Sequence, residues 1–160
     1  MQSIVVNAHF GKEEHYASLL PQIFALCEGE SDLIANLSNI TSALKQTFNW
    51  WWIGFYFVKE YELVLGPFQG TLACTRINYG KGVCGKSWEL QQTLIVSDVE
   101  KFPGHIACSS QSRSEIVIPI LLNQEVVAVL DADSEHLAHF DEIDKKYLEE
   151  LCVFVSGLFS

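Results

Sequence analysis

Glu115-Ile116-Val117-Ile118-Pro119-Ile120-Leu121-Leu122, then Asn123-Gln124, then Glu125-Val126-Val127-Ala128-Val129-Leu130 read as a β-hairpin. Two runs of β-branched and aliphatic residues flank a two-residue polar turn. Pro119 has no N–H to give a ladder, so the first arm belongs at a sheet edge, or meets its partner at a non-donating position. Glu115 opens this arm, and Asp131 and Asp133 end the other. Antiparallel pairing brings these outer ends together, and period-two alternation puts Asp131 and Asp133 on one side. Three carboxylates then converge at one edge of the sheet. Such a cluster can bind an ammonium group or hold one proton as a general acid. Asp131-Ala132-Asp133-Ser134 also has the composition of a solvated turn, and the residues alone leave both readings open.

Upstream, Trp51 to Val58 is aromatic and β-branched, hence a buried strand. Glu60-Tyr61 is a turn, Glu62 to Leu65 a second strand ending at Gly66-Pro67, and Ala73 to Ile77 a third. Residues 78–83 form a glycine-bearing loop, Cys84 to Gln91 a short helix, and Leu94 to Val96 a brief strand. Two helical patterns come first. Residues 12–27 carry Tyr16, Leu19, Leu20, Ile23, Phe24 and Cys27 on one face, with Pro21 predicting a kink or two short helices. Residues 32–47, capped by Ser31 or Asp32, carry Leu33, Ile34, Leu37, Ile40 and Leu44. Phe140-Asp141 opens a last helix with Leu148, Leu151, Cys152, Val155 and Leu158 inward. The sum is an α+β sandwich: an antiparallel sheet with helices at both chain ends. No repeat or linker interrupts residues 1–160, which read as one domain.

The chain carries 10 Lys and Arg against 20 Asp and Glu, a net charge of −10. A body this acidic repels phosphate, so nucleic acid and anionic membrane are poor partners. Hydrophobic residues at 49% and charged residues at 19% argue against disorder. No apolar run approaches the ~20 residues that span a bilayer. The amino terminus lacks a signal-peptide pattern, and the expectation is a cytoplasmic protein with reduced thiols.

Five cysteines are present, an odd number that does not suggest a structural disulfide framework. Cys27 and Cys152 lie on apolar helix faces and read as core. Cys74, Cys84 and Cys108 sit in or beside polar loops. Cys84 would open a helix, where the dipole favours a thiolate. Cys108 lies beside His105 with Arg113 downstream, the setting of a candidate nucleophile. Three unrelated loop cysteines remain the competing reading. No CxxC or HxxxH pair gives a zinc spacing. Gly80-Lys81-Gly82 lacks the full phosphate-loop pattern, and His136 and His139 read as surface. Trp50-Trp51-Trp52 cannot all face one way on a strand, so one ring is free to line a pocket or a dimer contact.

Trp52-Ile53-Gly54-Phe55-Tyr56, Leu65-Gly66-Pro67-Phe68-Gln69-Gly70, Ala73-Cys74, Gly82-Val83-Cys84-Gly85 and Phe102-Pro103-Gly104-His105-Ile106-Ala107-Cys108 together resemble the GAF-domain free methionine-(R)-sulfoxide reductases. Ser112-Arg113-Ser114-Glu115 and Val129-Leu130-Asp131-Ala132-Asp133-Ser134 extend the likeness over nearly the whole chain. The resemblance implies a GAF-like central antiparallel sheet, with terminal helices on one face and a loop-closed pocket on the other. It implies reduction of free L-methionine (R)-sulfoxide without a cofactor or metal. It casts Cys108 as nucleophile, Cys74 as its disulfide partner and Cys84 as an auxiliary resolving thiol. Trp52 and Tyr56 become pocket aromatics, and Glu115, Asp131 and Asp133 the polar side. A thiolate attacking the sulfoxide sulfur would leave a sulfenic acid, then a disulfide recycled by thioredoxin or a similar dithiol. Two other readings compete. A small-molecule-sensing GAF module has no use for three loop cysteines, and a thiol switch would report oxidant to a partner.

Overall fold

The computed structural model describes residues 2–160. Six strands form one antiparallel sheet: β1 (Trp52–Lys59), β2 (Glu62–Gln69), β3 (Arg76–Asn78), β4 (Leu94–Val96), β5 (Ser114–Leu122) and β6 (Glu125–Ser134). Their spatial order is β3-β2-β1-β6-β5-β4. The hairpin β5–β6 therefore lies inside the sheet. Its turn residues Asn123 and Gln124 both take positive φ, 53° and 68°, as the right-handed twist of two paired strands requires.

Alternation along these strands sorts side chains into two cores. Ile53, Phe55, Ile116, Ile118, Ile120, Ala128, Leu130 and Ala132 face helices α1 (Lys12–Cys27), α2 (Leu33–Phe48) and α4 (Glu142–Leu158). Trp52, Tyr56, Val117 and Val129 face the other way, toward helix α3 (Gly82–Leu90) and the long loops. The sheet thus has a helical side for stability and a loop side for chemistry.

The helices are fixed at their ends. Asp32 caps α2 by accepting from the Ala35 amide at 2.8 Å. Asp141 and Asp144 form a reciprocal capping box on α4. Asp144 also accepts from Tyr16 at 2.5 Å and from Lys12 at 2.7 Å, tying α1 to α4. Removing one partner from such a buried set costs several times what an exposed pair contributes.

Five local expectations are corrected. The second strand does not end at Gly66-Pro67 but runs on to Gln69. Pro21 does not divide α1 into two helices, since α1 runs unbroken from Lys12 to Cys27. Pro21 faces solvent, so water can satisfy the one carbonyl it orphans. Pro119 does not make β5 an edge strand, since β4 pairs beyond it. However, β4 stops at Leu94 opposite Val117, so no outer strand reaches Pro119. The third strand is shorter and later than Ala73–Ile77, because the chain before Arg76 leaves the sheet to reach the pocket. The second hairpin arm extends past Leu130 to Ser134, which puts both aspartates within the ladder. Among the described residues no helix is long and apolar enough to cross a membrane.

Candidate active site

The polar floor of the loop-side cavity is a consequence of register. Trp52 pairs with Asp133, and Asp133 with Glu115, so one row across β1, β6 and β5 carries all three. The next row on that face is Gly54, Asp131 and Val117. Gly54 is the space that lets the Trp52 ring lie flat. A Cβ there would sit 2.5 Å from both Phe68 Cβ and Trp52 Cη2. The Trp52 ring stacks on Phe68 at 5.4 Å and on Tyr56 at 5.9 Å, and its indole N–H donates to the Thr71 carbonyl at 3.1 Å.

Helix α3 closes the floor. Cys84 lies in its first turn, buried, and its Sγ is within 4.8 Å of oxygens of Glu115 and Asp131. Glu115 is 6% exposed and Asp131 5%. Burial pushes the Glu115 carboxyl well above its ordinary range, and the charges of Asp131 and Asp133 push it further. Burial and then Asp131 do the same to Asp133, against a hydrogen bond from Ser112 Oγ at 2.9 Å. Asp131 is raised by burial, opposed by hydrogen bonding with Glu115 and Cys84. Its Oδ1 receives no N–H or hydroxyl donor among the described residues. It is satisfied only when a neighbouring carboxyl or thiol keeps its proton, or when a cation enters.

The Cys84 thiol corrects the helix-dipole expectation. Burial drives it well up, with Asp131 and Glu115 adding to the effect. About half a unit charge at a helix end does not offset full desolvation beside two carboxylates. Cys84 is therefore a proton-holding thiol here.

Two loops roof the cavity and meet at a disulfide between Cys74 and Cys108, with 5.4 Å between Cα atoms. Each loop is anchored to the sheet. Tyr56 donates its hydroxyl to the Cys74 carbonyl at 2.9 Å. Trp51 donates its indole N–H to Ser109 Oγ at 3.1 Å. Ile106 rests on Gly82, where a Cβ would come within 3.1 Å of Ile106 Cδ1. His105 brings Nε2 to 4.0 Å from Glu115 Oε1, and burial lowers its pKa.

All eight residues singled out from the sequence (Trp52, Tyr56, Cys74, Cys84, Cys108, Glu115, Asp131 and Asp133) line or close this one cavity, of about 50 Å³. Cys27 and Cys152 are buried in the helical core, as expected. Of the tryptophans, Trp50 packs in the helical core against Phe48, Trp51 holds a loop and Trp52 lines the cavity. Sequence reasoning gives His105 only as a basic neighbour of Cys108, and gives no individual role to Ser112, Gly54 or Gly82. All four stand inside recognisable motifs, but their contacts are long-range. The close set Cys84, Glu115 and Asp131 also has donors that a borderline-soft divalent ion accepts. It comes from α3, β5 and β6, so no local spacing reveals it.

A family profile described as GAF domain matches residues 32–157. The chain is 39% identical to the free methionine-R-sulfoxide reductase of Saccharomyces cerevisiae, over 94% of this chain and 88% of that protein. It is 60% identical to GAF domain-containing protein A of Dictyostelium discoideum, over 88% and 89%. Among solved structures, the Neisseria meningitidis free methionine-R-sulfoxide reductase in complex with its substrate superposes with a TM-score of 0.97 at 50% identity, covering 99% of this chain and 96% of that one.

Proposed function

The chain belongs to the GAF domain family, among the free methionine-R-sulfoxide reductases, and we propose that it reduces free L-methionine (R)-sulfoxide to L-methionine in this cavity, in the cytoplasm. The observation that carries the reading is the Cys74–Cys108 disulfide closed directly over three carboxylates, Glu115 and Asp131 buried and Asp133 half-buried. A nucleophile, a resolving thiol and a proton source then share one enclosure.

The reaction follows from these groups. In the reduced protein the Cys108 thiolate attacks the electrophilic sulfoxide sulfur. Glu115, held protonated by burial and its charged neighbours, gives its proton to the oxygen. The sulfur–oxygen bond breaks as a second proton is taken up, and the water so formed adds to Cys108 Sγ, breaking the sulfur–sulfur bond that the attack had made; methionine leaves, a proton is released, and Cys108 is left as a sulfenic acid. Cys74 attacks that sulfenic acid, water leaves, and the disulfide forms. An ionised aspartate meets the substrate ammonium, a role for Asp131 that its unpartnered Oδ1 supports. Trp52 receives the S-methyl group on its face, which also favours sulfur as it gains positive character. Cys84 serves as an auxiliary thiol below them. Thioredoxin or a similar dithiol returns the disulfide to two thiols.

The test is methionine formation from each epimer of free methionine sulfoxide by the reduced protein, with Cys108→Ser as control. Turnover of the R epimer alone, lost in the control, is the expected result. No turnover of either epimer overturns the reading and leaves a binding module.

A further inference from the structure

We infer that the surface around the Cys74–Cys108 disulfide is a docking site for a dithiol protein, made of an apolar contact at Leu72 and Ile106 inside a basic border. This rests on the reductase reading, since it names where the reductant sits.

Each disulfide cysteine is preceded, two positions earlier, by a large aliphatic side chain that the fold leaves outside. Leu72 is 89% exposed and Ile106 38%. A single exposed leucine needs no explanation. These two lie on the two segments that the disulfide joins, and both border the cavity mouth with Cys108. No charged residue occurs from Gly70 to Thr75, or from Ile106 to Ser112. The patch is therefore uncharged at its centre, with Leu72 and Ile106 as its apolar contacts, and depletion of charge is the mark of an interface core.

Charge argues for the kind of partner. Residues 70–113 hold five basic and three acidic side chains, while the rest of the chain holds five basic and seventeen acidic. Lys81 and Arg113 are exposed and adjoin the two loops, as does Arg76, which is ion-paired with Glu62 at 2.6 Å. The segment that carries the redox centre is thus net basic in an otherwise acidic molecule. Opposite charge steers encounter and orients the docked pair. The occupant is a dithiol oxidoreductase with an apolar rim at its thiols and an acidic body.

The chemistry balances. The partner's first thiolate attacks one sulfur of the Cys74–Cys108 bond, forming a mixed disulfide and releasing the other sulfur as a thiolate that takes up a proton. The partner's second thiolate then breaks the mixed disulfide. Two electrons and two protons pass to Cys74 and Cys108, and the partner leaves as a disulfide.

The experiment is single-turnover reduction of the oxidised protein without sulfoxide, by reduced thioredoxin and separately by dithiothreitol, read by alkylation of the freed thiols. With Leu72→Ser the thioredoxin rate constant at low salt is expected to fall about tenfold, while the dithiothreitol rate stays within twofold. Lys81→Glu is expected to slow thioredoxin and flatten its salt dependence. A wild-type thioredoxin rate in Leu72→Ser overturns the docking site, as does an equal loss with both reductants. Failure of methionine formation with these differences intact overturns the reaction alone.

Discussion

Glu115 and Asp131 are each buried, and with Asp133 they make three acids where elementary electrostatics favours none. Their raised pKa values have opposite consequences for rate and stability. For rate, a carboxyl that keeps its proton near neutrality can serve as the acid, so turnover falls as pH rises through the cluster's folded pKa. Glu115→Gln is expected to lower kcat by about 10²–10⁴, the usual worth of a positioned general acid, and to abolish that alkaline fall. For stability, a carboxyl with a raised folded pKa costs nothing below its unfolded pKa, where both states are protonated. Above that pH the unfolded chain ionises freely while the fold resists, so stability is lost as pH rises. Asp131→Asn should therefore melt higher than the wild type at pH 7–8, by on the order of 1 kcal/mol, since a tenfold change in acidity is worth about 1.4 kcal/mol. Thermal melts from about pH 4 upward read the sign: a margin that does not shrink toward acid pH refutes the assignment. The cysteines separate on the same scale. Cys74→Ser is expected to form one methionine per protein and stop, whereas Cys84→Ser, lacking only the auxiliary thiol, continues to turn over.

At the scale of elements, the cavity depends on how strands are spaced and what they omit. Gly54 lies in β1 opposite Asp131, where any Cβ would strike Trp52 and Phe68 at 2.5 Å. Gly54→Ala is expected to tip the Trp52 ring into the cavity and raise KM for the sulfoxide about tenfold, with a stability loss of about 1–3 kcal/mol from overpacking. Unchanged KM with an unchanged near-ultraviolet tryptophan signal would remove Gly54 from this role. The glycine is legible only as part of a motif, because the collision is with a ring two residues away and with a neighbouring strand. The hairpin, by contrast, is readable from alternation and its turn in all but the length of its second arm and its place inside the sheet, and it alone brings Glu115 to Asp133. Helix α3 is readable as a helix but not as a burial site. Periodicity cannot report that two carboxylates wait above its first turn, so the dipole argument predicts the wrong direction for Cys84. Contacts that cross many residues, such as Ser112 to Asp133 and Trp51 to Ser109, leave no trace in local spacing.

Over the whole molecule, the two faces of the sheet differ in what they permit. The helical side is locked by three helices and the Lys12–Tyr16–Asp144 cluster. The loop side is held by isolated ties: Tyr56 to the Cys74 carbonyl, Trp52 to the Thr71 carbonyl, Trp51 to Ser109, Ser112 to Asp133, Ile106 on Gly82, and the disulfide. Only the last is covalent, and it joins Cα atoms 5.4 Å apart across segments 34 residues distant in sequence. Reduction removes that constraint while leaving every contact on the helical side. Reduction leaves these loops on separate hydrogen bonds, each worth about 1 kcal/mol net, and removes a loop-closure constraint of about 2–4 kcal/mol. Residues 74–82 and 102–112 are thus expected to exchange their amide hydrogens faster in the reduced protein, with α1, α2 and α4 unchanged. Substrate bound to a Cys108→Ser variant should restore part of the protection, since it ties floor to roof without a disulfide. Equal protection of both loops in the two redox states would mean that the roof is rigid in its own right, and the sulfoxide would then have to enter past a closed mouth.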